Sequence, residues 1–128
     1  MREGSKVKLL FVDDDEMILR LLKRVSTALE AETAFVDGAA SALQLLEAGD
    51  FDIVVSDFSM PGISGLSLLT TVAERWPRTL RVLLTGHPRE AFDDGSVDSV
   101  VDLILAKPWH NADLYARLVG LVERARQR

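Results

Sequence analysis

The chain has no cysteine, which removes disulfide scaffolds, zinc-thiolate centres and thiol nucleophiles together. It has no surplus of positive charge: 20 acidic against 15 basic side chains give a formal net charge of -5, so a general nucleic-acid footprint is not expected. It has no apolar run long enough to span a membrane. The first such run, Val7 to Val12, stops at three aspartates, and the Met-Arg-Glu-Gly-Ser-Lys before it is not a signal peptide. A cytoplasmic protein with no membrane partner is the expectation. Internal repeats, low-complexity tracts and linkers are missing too, so residues 1–128 are expected to form a single domain. What remains is an ordinary globular composition, 48% hydrophobic and 27% charged, which excludes a disordered or fibrous chain.

Hydrophobic periodicity divides the chain into alternating elements. Residues 6–12 are nearly continuously apolar, as in a strand buried on both faces, and end in Asp13-Asp14-Asp15. From Glu16 the spacing turns helical through Met17, Ile18, Leu21, Leu22, Val25 and Leu29, predicting a helix to about residue 31 with Asp15 as its N-cap. Residues 33–36 read as a second strand, 39–48 as a helix stopped by Gly49, 52–56 as a third strand, and 64 to about 76 as a helix halted by Pro77. Residues 81–85 form the fourth predicted strand. The fourth helix belongs in the stretch after Pro88, where Asp93, Asp94, Gly95 and Ser96 predict a short or distorted one. Residues 101–106 are the fifth strand. Asn111 is the expected cap of a last helix with Leu114, Leu118, Leu121 and Val122 inside.

Such alternation predicts an α/β fold: a parallel sheet with helices on both faces, whose ligands bind outside the carboxyl ends of the strands. Asp13 and Asp14 end strand one, Asp57 strand three, Thr85 strand four and Lys107 strand five, so the unusual polar residues fall on one edge. Taken singly each has a plainer account. The aspartate run is a helix cap, Asp57 a turn carboxylate, Thr85 a strand end and Lys107 a solvated cation. The plain accounts do not explain why all of them share an edge. Carboxylates about 4 Å apart repel by roughly 4 kcal/mol at an effective dielectric near 20, so either their pKa values rise or a cation intervenes. An all-oxygen site without Cys or His suits Mg²⁺ or Mn²⁺. Lysine is suited to a phosphoryl oxygen and a threonine hydroxyl to another, and together with the metal site they predict phosphoryl transfer. A carboxylate can be the nucleophile, and Asp57, alone on the middle strand, is the candidate.

The blocks Leu-Leu-Phe-Val-Asp-Asp-Asp, Val-Ser-Asp-Phe-Ser-Met-Pro-Gly-Ile-Ser-Gly, Leu-Leu-Thr-Gly and Leu-Ala-Lys-Pro-Trp resemble those of the receiver domain of two-component response regulators, the CheY-like family. They cover essentially the whole chain in order. The resemblance implies a flavodoxin-like, doubly wound five-stranded parallel sheet of order 2-1-3-4-5 with five helices. It implies that Asp57 is a phosphoacceptor, and that Asp14 and Asp57 hold Mg²⁺ directly with the Ser59 carbonyl while Asp13 acts through water. Thr85 would be the switch hydroxyl, Lys107 the phosphate-contacting cation, and Lys107-Pro108 a cis peptide. The implied partners are a sensor histidine kinase or histidine phosphotransfer protein and, on the output side, an effector domain or downstream protein. No direct nucleic-acid contact is implied, and the assembly is a monomer or weak homodimer. Such a domain is a signalling switch that assists its own phosphorylation and dephosphorylation, not a turnover enzyme.

One departure stands out. The position three before the lysine, commonly aromatic in the family, is Ile104. Trp109 is expected to pack on the domain without replacing that aromatic. His87 and Ser59 stand where family members tune phosphoryl lifetime. A metal-dependent phosphohydrolase is disfavoured, because Ser59 stands where its general acid/base would be and no cap insertion exists. A flavodoxin-type nucleotide binder is disfavoured because strand one opens into aspartates in place of a phosphate cradle. Arg117 and Arg124, on one face of the last helix, read as a solvated face.

Overall fold

The computed structural model describes residues 6–86 and 96–127. Strands β1 (Val7–Val12), β2 (Ala31–Val36), β3 (Ile53–Asp57), β4 (Leu80–Thr85) and β5 (Leu103–Ala106) form one sheet of order β2-β1-β3-β4-β5, with every neighbouring pair parallel. Between them run helices α1 (Glu16–Ser26), α2 (Ala39–Ala48), α3 (Gly65–Arg75), α4 (Ser96–Val100) and α5 (Asn111–Arg126). The order reverses between β1 and β3, which is the switch point where a ligand-binding crevice forms.

Alternation along the central strands explains the two layers of helix. Leu9 and Phe11 of β1, with Ile53, Val55, Val82 and Leu84, pack against Leu22 and Val25 of α1 and Leu114, Leu118 and Leu121 of α5. Leu10 and Val12, with Val54 and Leu83, face Ala42 and Leu46 of α2, Leu68, Leu69 and Val72 of α3 and Val97 of α4. Both faces of β1 are buried, which is why it reads as an unbroken apolar run. Trp109 packs on the first cluster, as expected.

The structure moves several boundaries. α1 ends at Ser26, five residues before the expected stop, and β2 begins at Ala31 instead of 33. The backbone N–H of Thr27 still bonds to the Lys23 carbonyl, but the Leu29 N–H closes a tight turn onto Ser26, and Leu29 is buried from that turn instead of from a helix. Apolar spacing alone does not distinguish the two. Met17, counted in the inner stripe, is 68% exposed. β5 starts at Leu103, not 101. Asn111 is the first residue of α5 and not its cap; His110 holds the N-cap position with no side-chain bond, its carbonyl accepting from Leu114 N–H. Asp15 does cap α1, its carboxylate accepting from the Met17 N–H at 2.9 Å. The five-residue α4 matches a short fourth helix; the rest of that stretch, residues 87–95, lies outside the described residues.

Candidate phosphoryl and metal site

β3 delivers Asp57 to the edge, and the next turn brings α3 back against it. Gly62 takes a φ of +81°, a conformation that suits glycine, and Ser64 caps α3 by accepting from the Ser67 N–H at 3.1 Å. Gly65, the first residue of α3, donates its N–H to the Phe58 carbonyl at 2.9 Å. A Cβ at Gly65 would stand 1.8 Å from the Asp57 carbonyl oxygen and 3.0 Å from Ser56 Oγ, so no side chain fits there. The Ser56 hydroxyl, fully buried, donates to that same Asp57 carbonyl at 3.0 Å.

β1 brings the other carboxylates. One oxygen each from Asp13, Asp14 and Asp57 lie within 4.8 Å of one another, with Asp13 and Asp57 buried and Asp14 exposed. β5 supplies the cation: Lys107 Nζ reaches Asp57 Oδ1 at 2.7 Å and Asp13 Oδ2 at 3.3 Å. Thr85 ends β4, 4% exposed, and its carbonyl accepts the Lys107 N–H at 2.8 Å. The Lys107-Pro108 peptide is cis, as expected. Ser59 lies two residues beyond Asp57 on the exposed loop toward α3, and His87 lies outside the described residues. Every other residue expected at the edge is there.

The aspartate run divides its labour. Asp13 Oδ1 accepts from the Asp15 N–H at 2.9 Å while Oδ2 faces Lys107, Asp14 is exposed yet keeps an oxygen in the cluster, and Asp15 serves the helix. Burial pushes the Asp13 carboxyl above the usual aspartate range, and the Asp57 charge adds to it; the Asp15 N–H and Lys107 oppose the rise without cancelling it. Burial alone would lower the Lys107 ammonium, but its hydrogen bond to Asp57 and the charges of Asp13 and Asp57 hold it above the usual lysine value.

The donor set fits a hard divalent cation. Three clustered carboxylates against one ammonium leave two negative charges, and the atoms on offer are all oxygens, which is the chemistry of Mg²⁺ or Mn²⁺. The alternation of elements puts Lys107 and Asp57 on one edge, but the direct bond between them depends on side-chain geometry and is not legible in the sequence. Ser56 was missed as well; a serine inside an apolar strand beside the key carboxylate was the available signal. Ile104 is partly buried against the cluster that contains Val97 of α4.

The sequence profile of the response regulator receiver domain family matches residues 9–119. The chain is 32% identical over 124 residues to chemotaxis protein CheY-3 of Vibrio cholerae, covering 94% of this chain and 95% of that protein. It is 28% identical to the transcriptional regulatory protein ResD of Bacillus subtilis, where it spans 99% of this chain but 52% of ResD. Among solved structures, the signal receiver domain of an HD domain-containing protein from Pseudomonas fluorescens superposes with a TM-score of 0.87 at 29% identity, covering 99% of this chain and 94% of that one. The response regulator TrrA of Thermotoga maritima, solved in complex with Mg²⁺-BeF, gives a TM-score of 0.80 at 27% identity, covering 90% of this chain and 98% of TrrA.

Proposed function

The chain belongs to the response regulator receiver domain family, and from that premise we propose that it signals by accepting a phosphoryl group on Asp57. The observation that carries the assignment is the pairing of a buried strand-end carboxylate with Lys107 Nζ at 2.7 Å inside a three-carboxylate cluster. A carboxylate oxygen of Asp57 attacks the phosphorus of a phosphohistidine on a sensor histidine kinase or phosphotransfer protein. A P–O bond forms as the P–N bond breaks, and the imidazole leaves with the electron pair. Lys107 is placed to neutralise a phosphoryl oxygen, and the Thr85 hydroxyl to donate to another. Asp14, Asp57 and the Ser59 carbonyl would hold Mg²⁺, or alternatively Mn²⁺, and Asp13, already committed to Asp15 N–H and Lys107, would contribute through water. When bound, the metal neutralises negative charge on the transferring group. The chain is a switch and not a turnover enzyme.

The donor's docking surface is the same edge. Met17, 68% exposed in the first turn of α1, and Ile63, 47% exposed in the loop after β3, give it an apolar rim on the segments that follow Asp14 and Ser59. Output goes to an effector domain or downstream protein. Incubation with Mg²⁺ and acetyl phosphate should add one phosphoryl group by intact mass, and Asp57→Asn should abolish it; equal labelling of both proteins rejects the assignment. The aliphatic Ile104 favours a second reading, a receiver fold that binds its partner regardless of phosphorylation. Beryllofluoride decides between them, since only the switch gains partner affinity when it binds.

A further inference from the structure

Ser56 takes no part in the chemistry proposed above, yet it places a hydroxyl with no exposed surface one residue before the nucleophile. It lies in register with Val12 of β1 and Leu83 of β4 and shares a sheet face with Val54, so its surroundings are the apolar layer that α3 covers. Leu10, Val12, Val54 and Leu83, the buried strand positions of that layer, carry no polar side-chain atom. A buried hydroxyl is costly unless it is bonded. Space explains part of the choice, because a Cβ on Gly65 would stand 3.0 Å from Ser56 Oγ and the start of α3 therefore crowds this residue and favours a small side chain. Alanine would meet that requirement without burying a polar group. The hydroxyl itself needs an account.

Its bond supplies one. The hydroxyl donates to the Asp57 carbonyl at 3.0 Å, the Phe58 N–H of the same peptide donates to the Leu84 carbonyl at 2.8 Å, and the Phe58 carbonyl accepts from the Gly65 N–H at 2.9 Å. The backbone that leads from Asp57 to Ser59 is thus clamped in succession, and of these bonds only the one from Ser56 is made by a side chain. We propose that Ser56 is a positioning residue for phosphoryl acceptance. Its hydroxyl fixes the tilt of the peptide after Asp57, and with it the direction of the Asp57 carboxylate and of the Ser59 carbonyl that would hold Mg²⁺. The inference rests on the reading of Asp57 as phosphoacceptor and deepens it. Small rotations matter at such a place, since a reacting group displaced by about 1 Å loses on the order of a hundredfold in rate.

The test compares the full-length wild type with Ser56→Ala and with Val54→Ala, which removes apolar bulk from the same strand face and no hydrogen bond. Mg²⁺ affinity is read by titration calorimetry, and the rate of phosphoryl uptake from acetyl phosphate at saturating Mg²⁺ by intact mass. Ser56→Ala should raise the Mg²⁺ dissociation constant about tenfold and slow uptake by about tenfold or more. Val54→Ala should lower the melting temperature and leave both readings unchanged. In the metal-free protein, Ser56→Ala should also speed hydrogen exchange at the Phe58 and Gly65 amides. A wild-type rate or a wild-type affinity in Ser56→Ala overturns the proposal, as do equal losses in Val54→Ala, which mark a structural effect only. Should Ser56→Ala melt before it can be assayed, Ser56→Cys, a weaker donor of similar size, decides on the same readings. Asp57→Asn separates the two levels: if it takes up a phosphoryl group as the wild type does, the acceptor assignment fails, and Mg²⁺ affinity and amide exchange still decide for Ser56.

Discussion

Asp13 is a carboxylate with no exposed surface standing beside two others, and its tolerance depends on Lys107. Removing one member of a buried ion pair typically costs about 3–5 kcal/mol. Because the Lys107 side chain keeps 23% of its exposure, Lys107→Met should cost less, about 1–3 kcal/mol in metal-free protein, read from urea unfolding. Asp13→Asn should do the reverse: raise the metal-free melting temperature by relieving a desolvated charge, and weaken the stabilising response to Mg²⁺. The pH dependence follows from the signs. The folded-state pKa of Asp13 lies above 3.8, so between 3.8 and that value the folded chain holds a proton the unfolded chain has lost. Its contribution is greatest below 3.8 and declines as pH rises through the folded pKa. For Lys107, also raised, the contribution is complete below 10.5 and is lost as pH climbs through the folded value. Alkaline destabilisation of the metal-free protein should therefore be shallower in Lys107→Met when melting is followed from pH 9 upward.

α3 begins where it does because Gly65 admits the Asp57 carbonyl. Gly65→Ala places a methyl group into backbone, which cannot step aside as a flexible side chain would, and should cost about 3 kcal/mol or more, at or beyond the usual overpacking range. Urea denaturation of that variant measures it. β4 is held at its other end by Arg81, whose guanidinium donates to the carbonyls of Val100, Thr79 and Pro77 while its backbone N–H meets Asp102 Oδ2 at 2.8 Å. Arg81→Met strands those carbonyls and should cost about 2–4 kcal/mol, consistent with losing more than one charged hydrogen bond. Here the limits of sequence reading show. The helices were legible from their stripes, yet α1 was extended over Leu29, because a buried leucine in a turn carries the same apolar signal as one in a helix. Asn111 looked like a cap by residue type, but the chain enters α5 one residue earlier at His110. Arg81 of β4 pairs with Asp102, the residue just before β5, and the register that brings them together cannot be read from local composition.

At the scale of the whole molecule the candidate site was legible because the fold is regular. Once strands and helices alternate, every strand end falls on a known edge, and Asp13, Asp57, Thr85 and Lys107 need no further information to be placed together. The bond from Lys107 to Asp13 and the burial of Asp13 depend on side-chain geometry and appear only in three dimensions. The same closure makes metal binding a stability measurement: at one hundred times its dissociation constant, Mg²⁺ should stabilise the wild type by about 2.7 kcal/mol in urea titrations. At that concentration Asp57→Asn should gain less. The sheet order also bears on how the polypeptide is made. Val7–Val12 leaves the ribosome before both of its neighbours, Ala31–Val36 and Ile53–Asp57. Until the second of these has emerged, Leu9, Leu10 and Phe11 have an unpaired edge in a nascent chain, an aggregation hazard of the kind that chaperones shield. The strand that holds Asp13 in place at the end of folding is thus the one most in need of shelter at its beginning.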